Sequence, residues 1–269
     1  MRLAIAGAGG RMGQVLIEAT LDASDLVLVA ALDLPRSAAI GADAGERCGR
    51  STGVRIVSDV EAALGVADVL VDFTRPSGSL AHLAACATAG VGAVVGTTGF
   101  DDAGRAEIAR HAKSIPVVFA PNMSVGVNVL VDLVRRAAQR LGPAFDIEVL
   151  EMHHRLKVDA PSGTALALGE AAAEGADVSL SEHAVYARQG ATGERRAGTI
   201  GFATLRGGDV VGEHTVLFAG IGERLELTHR ATSRRNFAAG ALRAARFVAV
   251  RRASGETGLF DMHDVLGLR

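Results

Sequence analysis

Over its first half the chain alternates short, unbroken apolar runs with segments of helical character, and over much of its second half it alternates apolar and polar residues one by one. Residues 3–6, 26–32, 67–73, 92–95 and 116–119 are apolar at nearly every position, the pattern of strands buried on both faces. Helix-like segments separate them, a succession that predicts a parallel sheet covered by helices. Residues 124–141 are helical in pattern, 145–152 alternate in period two as a strand, and 164–174 are rich in helix formers. Residues 200–206, 212–219 and 223–231 alternate again, with Gly207-Gly208-Asp209 and Gly220-Ile221-Gly222 placed as hairpin turns. A closing helix over 234–252 carries an apolar stripe through Phe237, Leu242, Ala245, Phe247 and Val248.

These elements predict an α/β protein: a Rossmann-like parallel-sheet domain and a second α+β domain with a mixed or antiparallel sheet. The first is expected over residues 1–124 plus 234–269 and the second over 125–233. Residues 34–53, polar and punctuated by glycine, read as a surface excursion, and 189–198, with Arg188, Arg195 and Arg196, as a solvated loop rather than a site. Arg234 reads as one arginine of an Arg-rich helix more readily than as a ligand to a carboxylate.

The turn after the first strand is Gly7-Ala8-Gly9-Gly10-Arg11-Met12-Gly13. It departs from the strict dinucleotide fingerprint, because Met12 stands where glycine is required, and the spacing that fits is Gly7, Gly10, Gly13. Small residues there still let backbone N–H groups approach a pyrophosphate at a helix N-terminus. The second strand ends in Asp33, twenty residues after Gly13, the place for a carboxylate on an adenosine ribose. Ligands of such sheets bind beyond the carboxyl ends of the strands. The remaining strand ends, Phe73-Thr74, Gly96-Thr97-Thr98 and Ala120-Pro121-Asn122-Met123, are suited to a cofactor lying across them.

Composition narrows the choice. A net charge of −2, one Tyr and no Trp give no footprint for nucleic acid. No apolar run reaches the roughly 18 residues of a membrane span. The opening strand leaves no room for a signal peptide, so a cytoplasmic protein is expected. Cys48 and Cys86 lack metal-ligand spacing, and no metal site is expected. Of the 28 basic residues only Lys113 and Lys157 are lysines.

Lys157 belongs to the densest chemistry in the chain, Glu151-Met-His-His-Arg-Leu-Lys-Val-Asp-Ala-Pro-Ser-Gly-Thr-Ala165, a strand-to-helix loop. An amine kept in so Arg-biased a chain suggests a titratable proton, which arginine does not offer. His153 and His154 are adjacent, so on a continued strand they point to opposite sides and would not easily chelate one metal. One can pass a proton near neutral pH while the other donates to a substrate oxygen. Ser162 or Asp159 can cap the next helix, leaving Gly163 and Thr164 as a seat for a small anion.

The run His153-His154-Arg-x-Lys157-x-Asp-Ala-Pro-Ser-Gly163-Thr164 resembles the signature of the dihydrodipicolinate reductase family of bacterial and plant lysine biosynthesis. The resemblance extends to residues 7–13, 96–99, 200–206, 212–215 and 258–262, and so over almost the whole chain. It implies hydride transfer from NADH or NADPH to a cyclic imine-type dicarboxylate, giving tetrahydrodipicolinate. By the same resemblance His153 and Lys157 are catalytic, and His154, Gly163 and Thr164 bind substrate. The cofactor contacts it implies are Gly7, Ala8, Gly9, Gly10, Arg11, Met12, Asp33, Gly96, Thr97, Thr98, Ala120, Pro121, Asn122 and Met123. A homotetramer formed through the second domain is implied too. In many relatives the acid after the second strand is followed at once by a basic residue; here Asp33 is followed by Leu34, so a modest preference for NADH is expected. A Rossmann dehydrogenase of another small amino acid or semialdehyde, and a cofactor-sensing binding protein, are the alternative readings.

Overall fold

A computed structural model describes residues 1–268. The chain folds into two compact units, one of Met1–Val125 with the chain from Arg234 onward, the other of Gly126–Ser233.

The first unit opens with β1 (Arg2–Ala6), α1 (Arg11–Leu21), β2 (Val27–Leu32), β3 (Ile56–Val57), α2 (Val60–Leu64) and β4 (Val69–Asp72). It continues with α3 (Pro76–Ala89), β5 (Gly92–Val95), α4 (Asp102–His111) and β6 (Pro116–Phe119). Helix starts follow local chemistry: Asp59 and Asp101 cap α2 and α4 by accepting the amides of Ala62 and Gly104, and Pro76 opens α3.

The second unit carries α5 (Val125–Leu141), β7 (Asp146–His153), α6 (Gly163–Gly175), α7 (Leu180–His183), β8 (Ala184–Val185), β9 (Ile200–Arg206), β10 (Gly212–Ala219) and β11 (Arg224–Ala231). The chain then returns to the first unit as α8 (Arg235–Ala253), β12 (Gly258–Phe260) and α9 (Met262–Leu266).

In the first unit seven parallel strands run in the order β12-β6-β5-β4-β1-β2-β3. Both faces are covered, as unbroken apolar strands demand: Leu3, Ile5, Val69 and Val71 enter one core with α1 and α8, while Ala4, Ala6 and Leu70 enter another with Leu83 and Ile108. Strand order reverses beside β1, which opens a crevice between the carboxyl ends of β1 and β4. Residues 34–53 are more than a surface excursion. Ala39 and Ala44 are buried in the first core, and the Asp43 carboxylate accepts from the amides of Gly45, Thr52 and Gly53 and from the Thr52 hydroxyl.

The second sheet runs β11-β10-β7-β9-β8. Gly220-Ile221-Gly222 does close a hairpin, since β10 and β11 pair antiparallel. Gly207-Gly208-Asp209 does not: β7 lies between β9 and β10, parallel to one and antiparallel to the other. Alternation shows which face a residue takes, not which strand lies beside it, and the glycine turn instead bridges the end of β7. The Gly207 amide donates to the His153 carbonyl at 3.0 Å, and the Gly208 carbonyl accepts from the Arg155 amide at 3.2 Å. Arg188 and Arg195 also depart from the expected solvated run. Arg188 forks onto Glu148, and Arg195 binds Glu148, Asp146 and the carbonyls of Ile147 and Thr199, clipping their segment to β7.

Candidate active site

In the first unit, a pocket of about 390 Å³ lies against the glycine turn, lined by Gly7, Gly10, Arg11, Met12, Gly13, Phe73, Gly96, Pro121, Arg234 and Phe237. Gly7 adopts φ +72°, and its carbonyl accepts the Gly10 amide at 2.9 Å. Gly10 precedes α1 without a side-chain cap, and the first turn of α1 has no acidic residue. The N–H groups there are thus left to an anion. A Cβ at Gly9 would meet the Asp33 Oδ2 at 2.5 Å, because Asp33 accepts the Gly9 amide at 2.9 Å and the Ser37 hydroxyl at 3.0 Å. A cradle of bare backbone, an uncapped helix and a strand-end carboxylate together fit a dinucleotide.

Of the other expected cofactor residues, Gly96 and Pro121 line this pocket. Gly96 faces the Phe73 ring, where a Cβ would stand 2.2 Å from a ring carbon. Ala8 and Met123 are buried in the core, and Thr97 turns its hydroxyl to Ser79 at 2.7 Å, so the side chains of these three are directed inward. Ala120 is held by its amide to the Val95 carbonyl, Asn122 accepts the Ser124 amide, and Thr98 is exposed. Of the other lining residues, Phe73 is among the strand ends expected to face a cofactor, whereas Arg234 and Phe237 lie outside the expected cofactor contacts. Phe73 ends a strand run, a usable signal, whereas Arg234 comes from far along the chain and looks like any helix-start arginine.

In the second unit, β7 ends at His153 and the loop to α6 begins with His154. Ser162, rather than Asp159, caps α6: its Oγ accepts the Ala165 amide at 3.1 Å, which leaves Gly163 and Thr164 at the helix mouth. A Cβ at Gly163 would project into open space. Asp159 instead binds Lys157, with Nζ 2.7 and 2.8 Å from its two oxygens, and that bond holds the Asp159 carboxyl below its usual range.

The centre of this cluster is a residue the sequence left unmarked. The Glu151 side chain is only 1% exposed. Burial alone would raise its carboxyl, but hydrogen bonds from Arg206, from His153 and from the Ser162 amide hold it below the ordinary value. His153 is pushed down by burial against the opposing pull of Glu151. His214 stacks edge-on to His153 with centroids 5.1 Å apart and meets the Ser162 Oγ at 3.0 Å. Burial pushes it down to about 4, so it is neutral. The Nδ1 of His154 is buried and has no hydrogen-bond partner among the described residues. Glu151 could have been found by its phase, since it is an acid in step with Ile147 and Val149 on the apolar face of β7.

A doubly wound parallel sheet with a glycine turn at its switch point, in a chain that also carries a second sheet bearing imidazoles, an amine and a helix mouth, defines a two-domain oxidoreductase of the Rossmann class. The family profiles "Dihydrodipicolinate reductase, N-terminus" and "Dihydrodipicolinate reductase, C-terminus" match residues 1–123 and 126–266, and the chain belongs to that family. It is 59% identical over 269 residues to a 4-hydroxy-tetrahydrodipicolinate reductase of Cupriavidus pinatubonensis, covering the whole of both chains. It is 59% identical over 268 residues to one of Dechloromonas aromatica, covering 98% of that chain. A solved dipicolinate-bound dihydrodipicolinate reductase from Paenisporosarcina sp. TG-14 superposes with a TM-score of 0.74 at 26% identity, over 97% of each chain. Among the described residues, no group of three or more His, Cys, Asp or Glu could hold a metal ion, and no helix is long and apolar enough to cross a membrane.

Proposed function

We propose that the chain reduces 4-hydroxy-tetrahydrodipicolinate to tetrahydrodipicolinate, with NADH or NADPH as reductant, in the diaminopimelate route to lysine. The observation that carries this reading is the gathering of His153 and the mouth of α6 around one buried carboxylate, with Lys157 paired to Asp159 on the same loop, in a chain whose full-length relatives bear that enzyme's name.

Gly7, Gly9, Gly10, Arg11 and Met12 present backbone and one cation to the pyrophosphate at the start of α1, and Asp33 takes the ribose hydroxyls. Gly96, Thr98, Ala120, Pro121 and Asn122 bound the nicotinamide side, with Ala8, Thr97 and Met123 packed behind them. Once the 4-hydroxyl has left as water, giving the conjugated dihydrodipicolinate ring, the reduced nicotinamide, when bound, would supply a hydride to carbon 4 of that ring. The residues of the second unit manage the charge and protons this creates. His154 and the amides of Gly163 and Thr164 hold a substrate carboxylate, Lys157 gives a proton from Nζ to the carbon left electron-rich, and His153, neutral at rest, takes or passes one.

The semialdehyde alternative loses ground on Cys86: it is fully buried in α3 and burial pushes its thiol far up, so it is no acylating nucleophile. A sensor would bind cofactor without turnover. The test is reduced-nicotinamide consumption with synthase-generated substrate. Oxidation that needs the cyclic imine supports the reductase, and cofactor binding without it supports a sensor. Pyridine-2,6-dicarboxylate should compete with substrate, and Thr164→Val should weaken it by about 1.5–3 kcal/mol, the cost of a lost hydrogen bond to a charged group.

The second unit is also proposed to assemble four copies. One face of its sheet packs on helices through Val149, Val216 and Phe218, while the other presents Leu150, Ala203, Leu205 and Leu217, a face suited to another copy of itself. Sedimentation at micromolar concentration should give a tetramer, and a stable monomer would overturn the assembly.

A further inference from the structure

Glu151 stands where an apolar side chain is expected, on the buried face of β7. Buried ion pairs seldom improve on apolar packing, so stability gives little reason for a charge there. Its three partners give another. His153 Nδ1 lies 2.6 Å from Oε2, Arg206 spans both oxygens at 2.8 and 2.9 Å, and the Ser162 amide reaches Oε1 at 3.0 Å. Each partner belongs to a different part of the site: Ser162 caps α6, and Arg206 also donates to the Asp159 carbonyl at 2.7 Å, on the residue whose side chain holds Lys157.

We propose that Glu151, kept ionised by Arg206, is the positioning residue of the proton-handling site: it fixes the His153 ring with its proton on Nδ1 and its Nε2 lone pair open, and ties that ring to the Lys157 loop and the α6 mouth. Its consequence for turnover rests on the reductase reading above, whereas the tautomer rests on geometry alone. An ionised carboxylate can only accept, so Nδ1 carries the hydrogen, and in a neutral imidazole Nε2 is then the acceptor. Nε2 faces Gly212, where a Cβ would come within 3.0 Å, so that edge of the ring stays clear only beside a glycine. His214, edge-on at 74°, packs against the ring.

The experiment uses the full chain labelled with ¹⁵N-histidine, in which two-bond proton–nitrogen correlations read each tautomer and His153→Asn assigns the signal. Wild type should show His153 protonated at Nδ1 and bare at Nε2 near neutral pH. Glu151→Gln keeps the shape and an acceptor oxygen but loses the charge. It should populate both tautomers and lower kcat about 100-fold while leaving the NADH Kd within about threefold. The acidic limb of its kcat/KM profile should move to lower pH, because the charge that favours imidazolium has gone. Glu151→Asp should recover the tautomer and the limb. A wild-type His153 carrying its proton on Nε2 overturns the proposal and needs no variant to fold. So does a Glu151→Gln enzyme with wild-type tautomer and pH limb. If wild type shows no imine-dependent turnover, the reductase reading falls, and the tautomer measurement still decides the clamp.

Discussion

Gly13 lies so close to Gly7 that a Cβ built on it would stand 2.1 Å from the Gly7 carbonyl oxygen. Helix α1 therefore packs directly on the turn that presents its N-terminus, and Met12 can replace the usual glycine because the close approach falls one residue later. Gly13→Ala should destabilise the first unit by about 1–3 kcal/mol, as overpacking does, and weaken NADH binding by calorimetry. Gly10→Ala, with a 3.1 Å approach to the same oxygen, should be milder. Normal melting and NADH affinity in Gly13→Ala would show that the turn relaxes without cost to its ligand.

Lys157 and Asp159 form a close ion pair beside His153. Lys157→Arg preserves charge and can fork onto the same carboxylate, but arginine does not surrender a proton. Turnover should fall by about 10²- to 10⁴-fold, the usual share of a general acid, with cofactor Kd unchanged. Turnover within about threefold of wild type would leave Lys157 a binding residue only.

His214 gives the second unit a pH dependence of definite sign. Its folded value of about 4 lies below the 6.5 of an unfolded histidine, so between these values the unfolded chain binds the extra proton. The contribution is fully present above 6.5 and is lost as pH falls toward and through about 4, amounting to roughly 3 kcal/mol. His153 and His229, also pushed down by burial, add in the same direction. Denaturant melts across this window should steepen toward acid, and His214→Asn should flatten the slope even if it lowers stability throughout. An identical slope in the variant would rule His214 out as its source.

The first sheet was legible because its strands are apolar on both faces, and only a helix-covered parallel sheet satisfies that pattern. The motif from His153 to Thr164 was legible because its chemistry is contiguous. What stayed hidden was long-range pairing. Nothing in the alternation of 200–206 and 212–219 says that β7 lies between them, and Glu151 and Arg206 are far apart in sequence though they share two hydrogen bonds. Arg195 likewise looks like a loop charge until β7 supplies its partners.

Cofactor choice is expected to turn on Asp33. Its Oδ2 accepts from Gly9 and Ser37 and its Oδ1 from the Leu34 amide, so the carboxylate is held in place at the end of β2. It can accept the ribose hydroxyls of NADH, whereas the 2′-phosphate of NADPH would place like charges near each other, a repulsion of about 1–4 kcal/mol at roughly 4 Å depending on effective dielectric. Arginines oppose this. Arg11 lines the pocket, Arg36 follows Asp33 by three residues, and Arg47 donates to the Gly9 carbonyl at 3.0 Å, on the same glycine whose amide Asp33 accepts. The balance should be a modest preference for NADH in kcat/KM at low salt. Asp33→Ala frees the Gly9 amide and so weakens both cofactors, which makes the ratio the informative quantity, and it should move toward NADPH. Added salt should narrow that preference, since the repulsion by Asp33 that outweighs the arginine attraction is screened along with it. A wild-type enzyme that prefers NADPH by about tenfold or more, an advantage near 1.4 kcal/mol, would mean that the arginines and not Asp33 set the choice.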